Sequence, residues 1–516
     1  MDVANSSFPA KPAFFAYIPF LWRCVLFPGT VCRQKTSAIA GWLVAVVLPA
    51  LLLYPCLSFH LFEPDEGRYA EIPREMLARG DWLVPHLAGQ PYLEKPPLMY
   101  WLVMVSYRLF GVYDWSARLV PALAVQATIV LTYLFGRQIL GGRAAFWGTL
   151  TLVLAPAFLG MGRLLLLDGV LTFFVWLSVY SAWQAIQSRT IRSGWWLGCA
   201  VASGLATLTK GPVALVLLLP PVWLFSRWTE GVARPGLRDG LLFAGVYLLV
   251  AAPWYLAILV RMPAFAIDFF WTHNVMRFVD PFDHERPVWF YLPIVVAGLL
   301  PASLWGMGFA RFLFTGEEWA VQRRCPELGF LLLVSGWCIF FFSLSGCKLP
   351  TYVLPAFPPL ALALGYYLSL LSSARLHWLK VSFALSAVVL FLAHYVVIPE
   401  YARFRSPMNR AEQVAAYCAG KPVICYPRPC DSVAFYLGRD DFRSYRSKYT
   451  PQLIERLQKQ PESRTAILFT HRHSLEGLRR VLPPGLHLTS ATPLSYSWKR
   501  FFEPEACYMA IIERRP

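Results

Sequence analysis

Residues 62–97, FEPDEGRYAEIPREMLARGDWLVPHLAGQPYLEKPP, are where this chain is equipped for chemistry. Asp65, Glu66, Arg68, Glu71, Arg74, Glu75, Arg79, Asp81, Glu94 and Lys95 crowd a loop that follows the first long apolar run. Asp65 and Glu66 stand where that run leaves the bilayer, the place for a general base facing a membrane cavity. Glu94 and Lys95 project from a corner stiffened by Pro96 and Pro97. A Lys there either neutralises a phosphate or snorkels to the interface beside its acidic neighbour. Pro64 before two acids, and Arg79 before Gly80, mark the ends of a helix over 65–79 that Pro73 is expected to kink. Glu75 and Arg79, four apart, are expected to make a solvated pair on it. Most of the charges from Arg68 to Arg79 are expected to be helix surface.

Four further polar breaks interrupt apolar sequence. Asp168 opens an apolar run behind Arg163 and LLLL, and an acid there needs a cavity or a partner, Arg163 being the nearest candidate. Lys210-Gly211-Pro212 separates two apolar runs. WTHNVMRF carries His273, Asn274 and Arg277, the first and last on one face if the piece is helical. Cys347-Lys348-Leu349-Pro350-Thr351-Tyr352 breaks another pair of runs. Lys95, Arg277, Lys348 and Tyr352 converging on one membrane face would hold a phosphate at the bilayer surface. There is no G-x-x-x-x-G-K-[ST] and no G-x-G-x-x-G after a strand, so nucleotide handling is not indicated. An enzyme with a phosphate cradle and carboxylates but no nucleotide site would take an activated lipid phosphate as donor.

The elements that must position these residues are membrane helices. The chain has 516 residues, 57% hydrophobic and 15% charged, against about 25% charged in soluble domains. Apolar runs fall near 38–60, 118–138, 144–162, 169–187, 195–210, 211–227, 240–260, 289–312, 328–346, 352–372 and 379–398. That gives about eleven spans, with room for twelve or thirteen. The run 98–111 is short for about 30 Å of hydrocarbon and is read as a helix lying against the membrane. Residues 1–37 have no clear cleavage site and suit an interfacial segment.

The formal charge of +17 sits in short connections between apolar runs, which argues for membrane orientation and against nucleic acid. With the N-terminus in the cytoplasm, the connections on that side carry Arg137 and Arg143; Arg189 and Arg192; Arg227, Arg234 and Arg238; Arg311, Arg323 and Arg324; then Arg375 and Lys380. All the polar breaks fall on the other side. Beyond about 399 no run is long enough to span. Strand-like KPVICY and TAILFT alternate with helical PQLIERLQKQ, so 399–516 is read as a small extracytoplasmic α/β domain. There Cys418, Cys425, Cys430 and Cys507 meet an oxidising compartment, where a disulfide among them is allowed. The fold class is an all-α polytopic membrane protein, with amphipathic juxtamembrane helices and this small α/β domain.

RYAEIPREMLARGDWLVPHLAGQPYLEKPP and KLPTYVLPAFPPLAL resemble the GT-C glycosyltransferases that use polyprenyl-phosphate sugars, above all the bacterial lipid A aminoarabinose transferases. The protein O-mannosyltransferases are a more distant likeness. The resemblance covers roughly 38–400 and implies a GT-C catalytic domain over 38–398. It places Asp65 as the acceptor-activating carboxylate with Glu66 beside it, and Asp168 as a further carboxylate of the cavity. Lys95, Arg277 and Tyr352 then contact the polyprenyl phosphate, with Lys210 near the same cavity. Glu94 and His273 match a pair that approaches a divalent metal; a divalent cation is allowed for, and no cofactor is expected to be required. The implied partners are a polyprenyl-phosphate sugar donor, a lipid A-like or protein acceptor and membrane lipid. The implied location is a bacterial inner membrane, with the site on the periplasmic face. A protein O-mannosyltransferase-like enzyme and a secondary transporter are the alternatives; a transporter would carry its charges at the midplane with internal repeats, and no repeat is seen.

Overall fold

The computed structural model describes residues 38–55, 57–265, 267, 269, 271–272, 276–279, 284–460, 462–469, 472–494 and 507–514. The N-terminal segment 1–37 and His273 and Asn274 lie outside the described residues, as does the side chain of Arg277.

Each of the eleven apolar runs is helical. Six helices are long and apolar enough to cross a membrane: Asp114–Ile139, Leu167–Ile186, Leu237–Arg261, Pro326–Leu344, Pro350–Ser369 and Ser373–Arg403. Two more spans are bent pairs, Gly142–Val153 with Pro156–Gly162 at 58° and Val288–Gly298 with Ala302–Phe314 at 107°. Pro156 and Pro301 fall at the two breaks, where a missing N–H interrupts the helical ladder. Ala38–Leu53 and Val213–Trp228 are shorter apolar helices, and Ser193–Lys210 completes the set. This is a multi-pass membrane protein.

Small residues bring the helices together. A Cβ on Gly365 would lie 2.2 Å from the Gly148 nitrogen, so Pro350–Ser369 and Gly142–Val153 touch backbone to backbone, as small-residue seams in membrane bundles do. The helix Leu98–Phe110 packs Met99, Tyr100, Val103, Met104 and Tyr107 inward and turns Val105, Leu109 and Phe110 outward. Such an apolar outer face suits a helix resting on a bilayer.

The C-terminal part folds as the α/β unit expected, with a five-stranded sheet in the order Arg443–Ser444, Val423–Tyr426, Arg464–Phe469, Tyr508–Arg514, Leu486–Pro493. The first two junctions are parallel and the last two antiparallel. No disulfide forms among the described cysteines; Cys418, Cys425 and Cys430 are buried together in one apolar cluster.

This domain sits on the charged loop through the helix Asp431–Leu437. The Ser432 N–H donates to Glu63 Oε1 at 2.6 Å, and Tyr436 Oη reaches Asp114 Oδ2 at 3.2 Å. A Cβ on Gly67 would meet the Ser432 nitrogen at 2.5 Å, so only glycine lets the two elements approach so closely.

Candidate active site

The helix Asp65–Arg79 forms as its end signals predicted. Gly80 closes it in the left-handed region (φ 68°), its N–H returning to Leu77 and Met76, with the Asp81 N–H on the Met76 carbonyl at 3.1 Å; this is a glycine C-cap. The helix runs unbroken through Pro73.

Two of the charges expected on its surface, Glu71 and Glu75, are buried, contrary to expectation, while Arg79 is exposed. Glu66, Glu71 and Glu75 are all at most 2% exposed. Glu71 takes a bidentate pair from Arg74, both contacts at 2.6 Å. Glu75 approaches Arg79 only at 4.0 Å and spends its oxygens on the Ala88 and Gly89 N–H groups at 2.6 and 3.0 Å. Those two residues form the turn of the hairpin His86–Leu87/Gln90–Pro91, both with positive φ. Buried acids here fold the loop onto its own helix, because bare backbone N–H groups beside a membrane need acceptors.

Glu66 is the centre of this scaffold. Arg118 donates to both its oxygens, Nε at 2.8 Å and Nη2 at 2.6 Å, and to the carbonyls of Leu57, Phe59 and His60. The Phe62 and Leu165 N–H groups complete the carboxylate's shell. Burial works against the charge, but Arg118 and the two amides outweigh it and hold the Glu66 carboxyl below its usual range. Glu66, expected as a catalytic acid, is therefore committed to structure. Arg118 was missed from sequence; the signal available was a lone Arg inside the apolar run WSARLVPALAV. Asp65, one residue earlier, has a side chain 54% exposed and only a 3.7 Å contact to Arg68.

The remaining predicted residues divide between a cavity and its surroundings. Glu94, Lys95, Lys210 and Tyr352 line a cavity of about 380 Å³ whose other walls include Pro212, Val213, Val216, Phe341 and Phe342. Tyr92 Oη donates to Glu94 Oε2 at 3.0 Å, and Lys95 Nζ to the Glu94 carbonyl at 2.9 Å. Lys210, the last residue of its helix, pairs with Asp168, in the first turn of another, at 2.5 Å. Its ammonium also lies 4.2 Å from the Tyr352 ring centroid. The expected Asp168–Arg163 pair is thus replaced by Asp168–Lys210. Asp168 does not line the cavity; it anchors the Lys that does.

Lys348 departs from the expected phosphate set. It is 4% exposed and donates to the carbonyls of Arg286, at 3.0 Å, and Ser345, fastening the break between two spans. Arg277 begins the short helix Arg277–Val279, whose Phe278 and Val279 line the cavity. The Glu94–His273 metal pair involves a residue outside the described set. Among the described residues, no group of three His, Cys, Asp or Glu is placed to hold a metal.

Asp65 is tied to the rest electrostatically. Buried Tyr69 has its hydroxyl pKa pushed up first by burial and then by the carboxylates of Asp65, Asp168 and Glu94, against the pull of Arg68. The charges of all three acids therefore act on one side chain of the loop helix.

Residues 37–269 match the family model described as Dolichyl-phosphate-mannose-protein mannosyltransferase. The fold is superposable on the crystal structure of ArnT from Cupriavidus metallidurans bound to undecaprenyl phosphate, with a TM-score of 0.73 over 92% of this chain and 98% of that one, at 23% identity. This is an ArnT-like fold. The apo form of the same protein agrees, with a TM-score of 0.72 at 24% identity, over the same shares of both chains. By sequence the chain is 36% identical over 357 residues, 67% of its length, to the undecaprenyl phosphate-alpha-4-amino-4-deoxy-L-arabinose arabinosyl transferase 1 of Pseudomonas fluorescens (strain Pf0-1), covering 60% of that protein. It is 34% identical over 363 residues, 68% of its length, to the corresponding transferase of Edwardsiella ictaluri, covering 63% of it. The chain spans about three fifths of the length of the curated relatives it matches. The resemblance read from the two motifs holds.

The seam between the loop and the C-terminal domain should respond to pH. Part of Glu63 is exposed, but its Oε2 is buried, and burial together with neighbouring Asp431 pushes its carboxyl up to about 8. A carboxyl that holds its proton more tightly folded than unfolded stabilises fully below its ordinary pKa and loses that contribution as pH rises through the folded value. The thermal unfolding midpoint of the purified protein is therefore expected to fall between about pH 5 and about pH 8. Glu63→Gln should flatten the profile; an unchanged slope in that variant would assign the pH dependence elsewhere.

Proposed function

We propose that this chain is a membrane glycosyltransferase that moves a sugar from a polyprenyl-phosphate donor to a cell-envelope acceptor on the outer face of the bacterial cytoplasmic membrane. The observation that carries this reading is the cavity itself, whose lining divides into two ammonium groups, a phenol and the Glu94 carboxylate on one hand and mostly apolar side chains on the other. A polyprenyl phosphate has that same division between a charged head and an isoprenoid tail. The transferase names of the relatives support the reading.

In this mechanism Asp65 takes the proton of an acceptor hydroxyl, or orients an acceptor phosphate that carries none. The acceptor oxygen attacks the anomeric carbon, the bond from that carbon to the phosphate oxygen breaks, and polyprenyl phosphate leaves with the electron pair. Lys95 and Lys210 meet the charge growing on that phosphate, with Tyr352 beside them and Arg277 assigned to the same task. Charge stabilisation of this kind is strong in a water-poor site. The positive charge is supplied by side chains, so a divalent cation has no assigned step. Asp168 and Glu94 hold the two lysines in place, Asp168 by its ion pair and Glu94 through its backbone carbonyl.

Helix polarity supports this orientation. Asp168, Lys210 and Tyr352 sit at helix ends, and the Arg-rich connections join the opposite ends, which by the positive-inside rule face the cytoplasm. Charges at helix ends also favour an enzyme over a secondary transporter, whose site lies near the midplane.

The test uses purified full-length chain in detergent, with radiolabelled sugar on undecaprenyl phosphate and no ion gradient. The relatives' donor, carrying 4-amino-4-deoxy-L-arabinose, is the first to try. Label moving to an acceptor lipid is the expected result; uptake into sealed vesicles without transfer would favour transport. Lys95→Ala is expected to lower turnover by ~10²–10³-fold, with the protein still monodisperse. Near-wild-type transfer by that variant would remove Lys95 from the mechanism.

A further inference from the structure

A second cavity, of about 930 Å³, opens at the end of the helices opposite Lys210 and Tyr352. Buried Tyr367, near the far end of Pro350–Ser369 from Tyr352, lines it. The helix Gly306–Phe314, which follows the 107° bend in its span, is pinned to this tyrosine. Gly308 lies against the Tyr367 hydroxyl where no Cβ would fit. The Phe309 and Phe312 rings pack on the same side, with centroids 5.7 and 5.6 Å from that of Tyr367. Met307, Arg311 and Phe314 fall on the other side of the helix and are exposed. Across the cavity stand Arg375 and Trp378, at the start of Ser373–Arg403 and also exposed.

The charges in this cavity do not balance. Arg311 pairs with Glu317 at 3.1 Å, and Glu317 also accepts from the Trp319 indole N–H. Arg375 has neither an ion pair nor a hydrogen bond among the described residues. Arg311, Glu317 and Arg375 are the charged groups of the lining, so the cavity carries an excess of positive charge. Trp305, Trp319 and Trp378 line it as well, and tryptophan collects at the headgroup level of a bilayer. A basic pocket between spanning helices, apolar toward the tails, matches an anionic lipid headgroup.

We propose that this cavity binds an anionic phospholipid, its phosphate on Arg375 and Arg311 and an acyl chain along Met307, Phe314 and Trp378. Guanidinium groups suit bidentate contact with phosphate oxygens. The volume is at the upper end of the range of about 300–1,000 Å³ for small-molecule sites, which suits part of an acyl chain and not a lone ion. The lipid would wedge between the bent span and Ser373–Arg403, completing the packing that the bend interrupts. The proposal needs the chain to lie in a membrane and is independent of the transferase reading.

Native mass spectrometry of full-length protein, delipidated in neutral detergent, tests it. The probes are phosphatidylglycerol, phosphatidylcholine with the same acyl chains, and undecaprenyl phosphate. Phosphatidylglycerol is expected to bind at least about 10-fold more tightly than phosphatidylcholine and to raise the thermal midpoint at saturation. Arg311→Gln with Arg375→Gln is expected to bring the two phospholipids within about 2-fold of each other, with the lipid-free thermal midpoint unchanged. Arg375→Gln alone, which leaves the Arg311–Glu317 pair intact, is expected to weaken phosphatidylglycerol by at least about 3-fold. Arg234→Gln with Arg238→Gln changes exposed basic residues of another connection at the same end and is expected to keep the preference. Equal binding of the two phospholipids by wild type, a preference that survives loss of Arg311 and Arg375, or one lost equally with Arg234 and Arg238 would overturn the site. Tighter binding of undecaprenyl phosphate would overturn the phospholipid assignment, and so would a lipid-free dimer that persists in phosphatidylglycerol, which would give the surface to a second copy of the chain.

Discussion

Asp65→Asn is expected to lower sugar transfer by ~10²–10⁴-fold, the range a positioned general base contributes, while leaving the fold intact. The side chain is about half exposed and its one ionic partner among the described residues, Arg68, is at 3.7 Å, so an amide of the same shape disturbs little. Donor binding should also survive, because Lys95, Lys210 and Tyr352 line a cavity that Asp65 does not. The expected signature is a fall in kcat with donor KM nearly unchanged and a thermal midpoint within a degree or two of wild type. If the acceptor is a phosphate that carries no proton to remove, the loss should sit at the low end of that range. Transfer at the wild-type rate would exclude Asp65 as base.

The neighbouring acid should behave in the opposite way. Glu66→Ala is expected to destabilise the protein by about 3–5 kcal/mol, the cost of leaving a buried charge without its partner. Arg118 would keep its carbonyl contacts to Leu57, Phe59 and His60 but lose the one carboxylate that, among the described residues, its hydrogen bonds reach. The Phe62 and Leu165 N–H groups would lose their acceptor as well. Since these contacts join the end of the first apolar helix, the loop helix and the segment before Leu167–Ile186, the whole site should loosen. Thermal unfolding in detergent reads the effect directly. Glu66→Gln, which keeps an acceptor but not the charge, should fall between wild type and Glu66→Ala. A Glu66→Ala protein as stable as wild type but inactive would return Glu66 to the chemistry.

The paired fates of Asp65 and Glu66 show where reading residues in order stops being sufficient. Both are acids in the first turn of one helix, and nothing local separates them. What separates them is Arg118, fifty-two positions away along the chain, which selects the one that faces it. The same holds for Asp168, whose partner is Lys210 on another helix rather than Arg163 nearby. Lys348 looked like a phosphate ligand by type and position, yet carbonyls exposed at a helix break claim its ammonium.

Much was nevertheless legible in the chain alone. The eleven helical segments, the helix over 65–79 with its glycine stop, the α/β character beyond 399 and the clustering of polar breaks at one end of the helices all follow from local rules. Those rules are hydrocarbon thickness, backbone capping and the asymmetry of basic connections, and each acts within a few turns of chain. Which acid is buried, which lysine lines the cavity and which carbonyls claim Lys348 were decided only by tertiary structure. Ion pairs form between side chains brought together by packing, and burial determines whether a charge is held by the scaffold or left available. The charged loop of residues 62–97 is therefore both scaffold and site, and its three-dimensional partners divide it between the two.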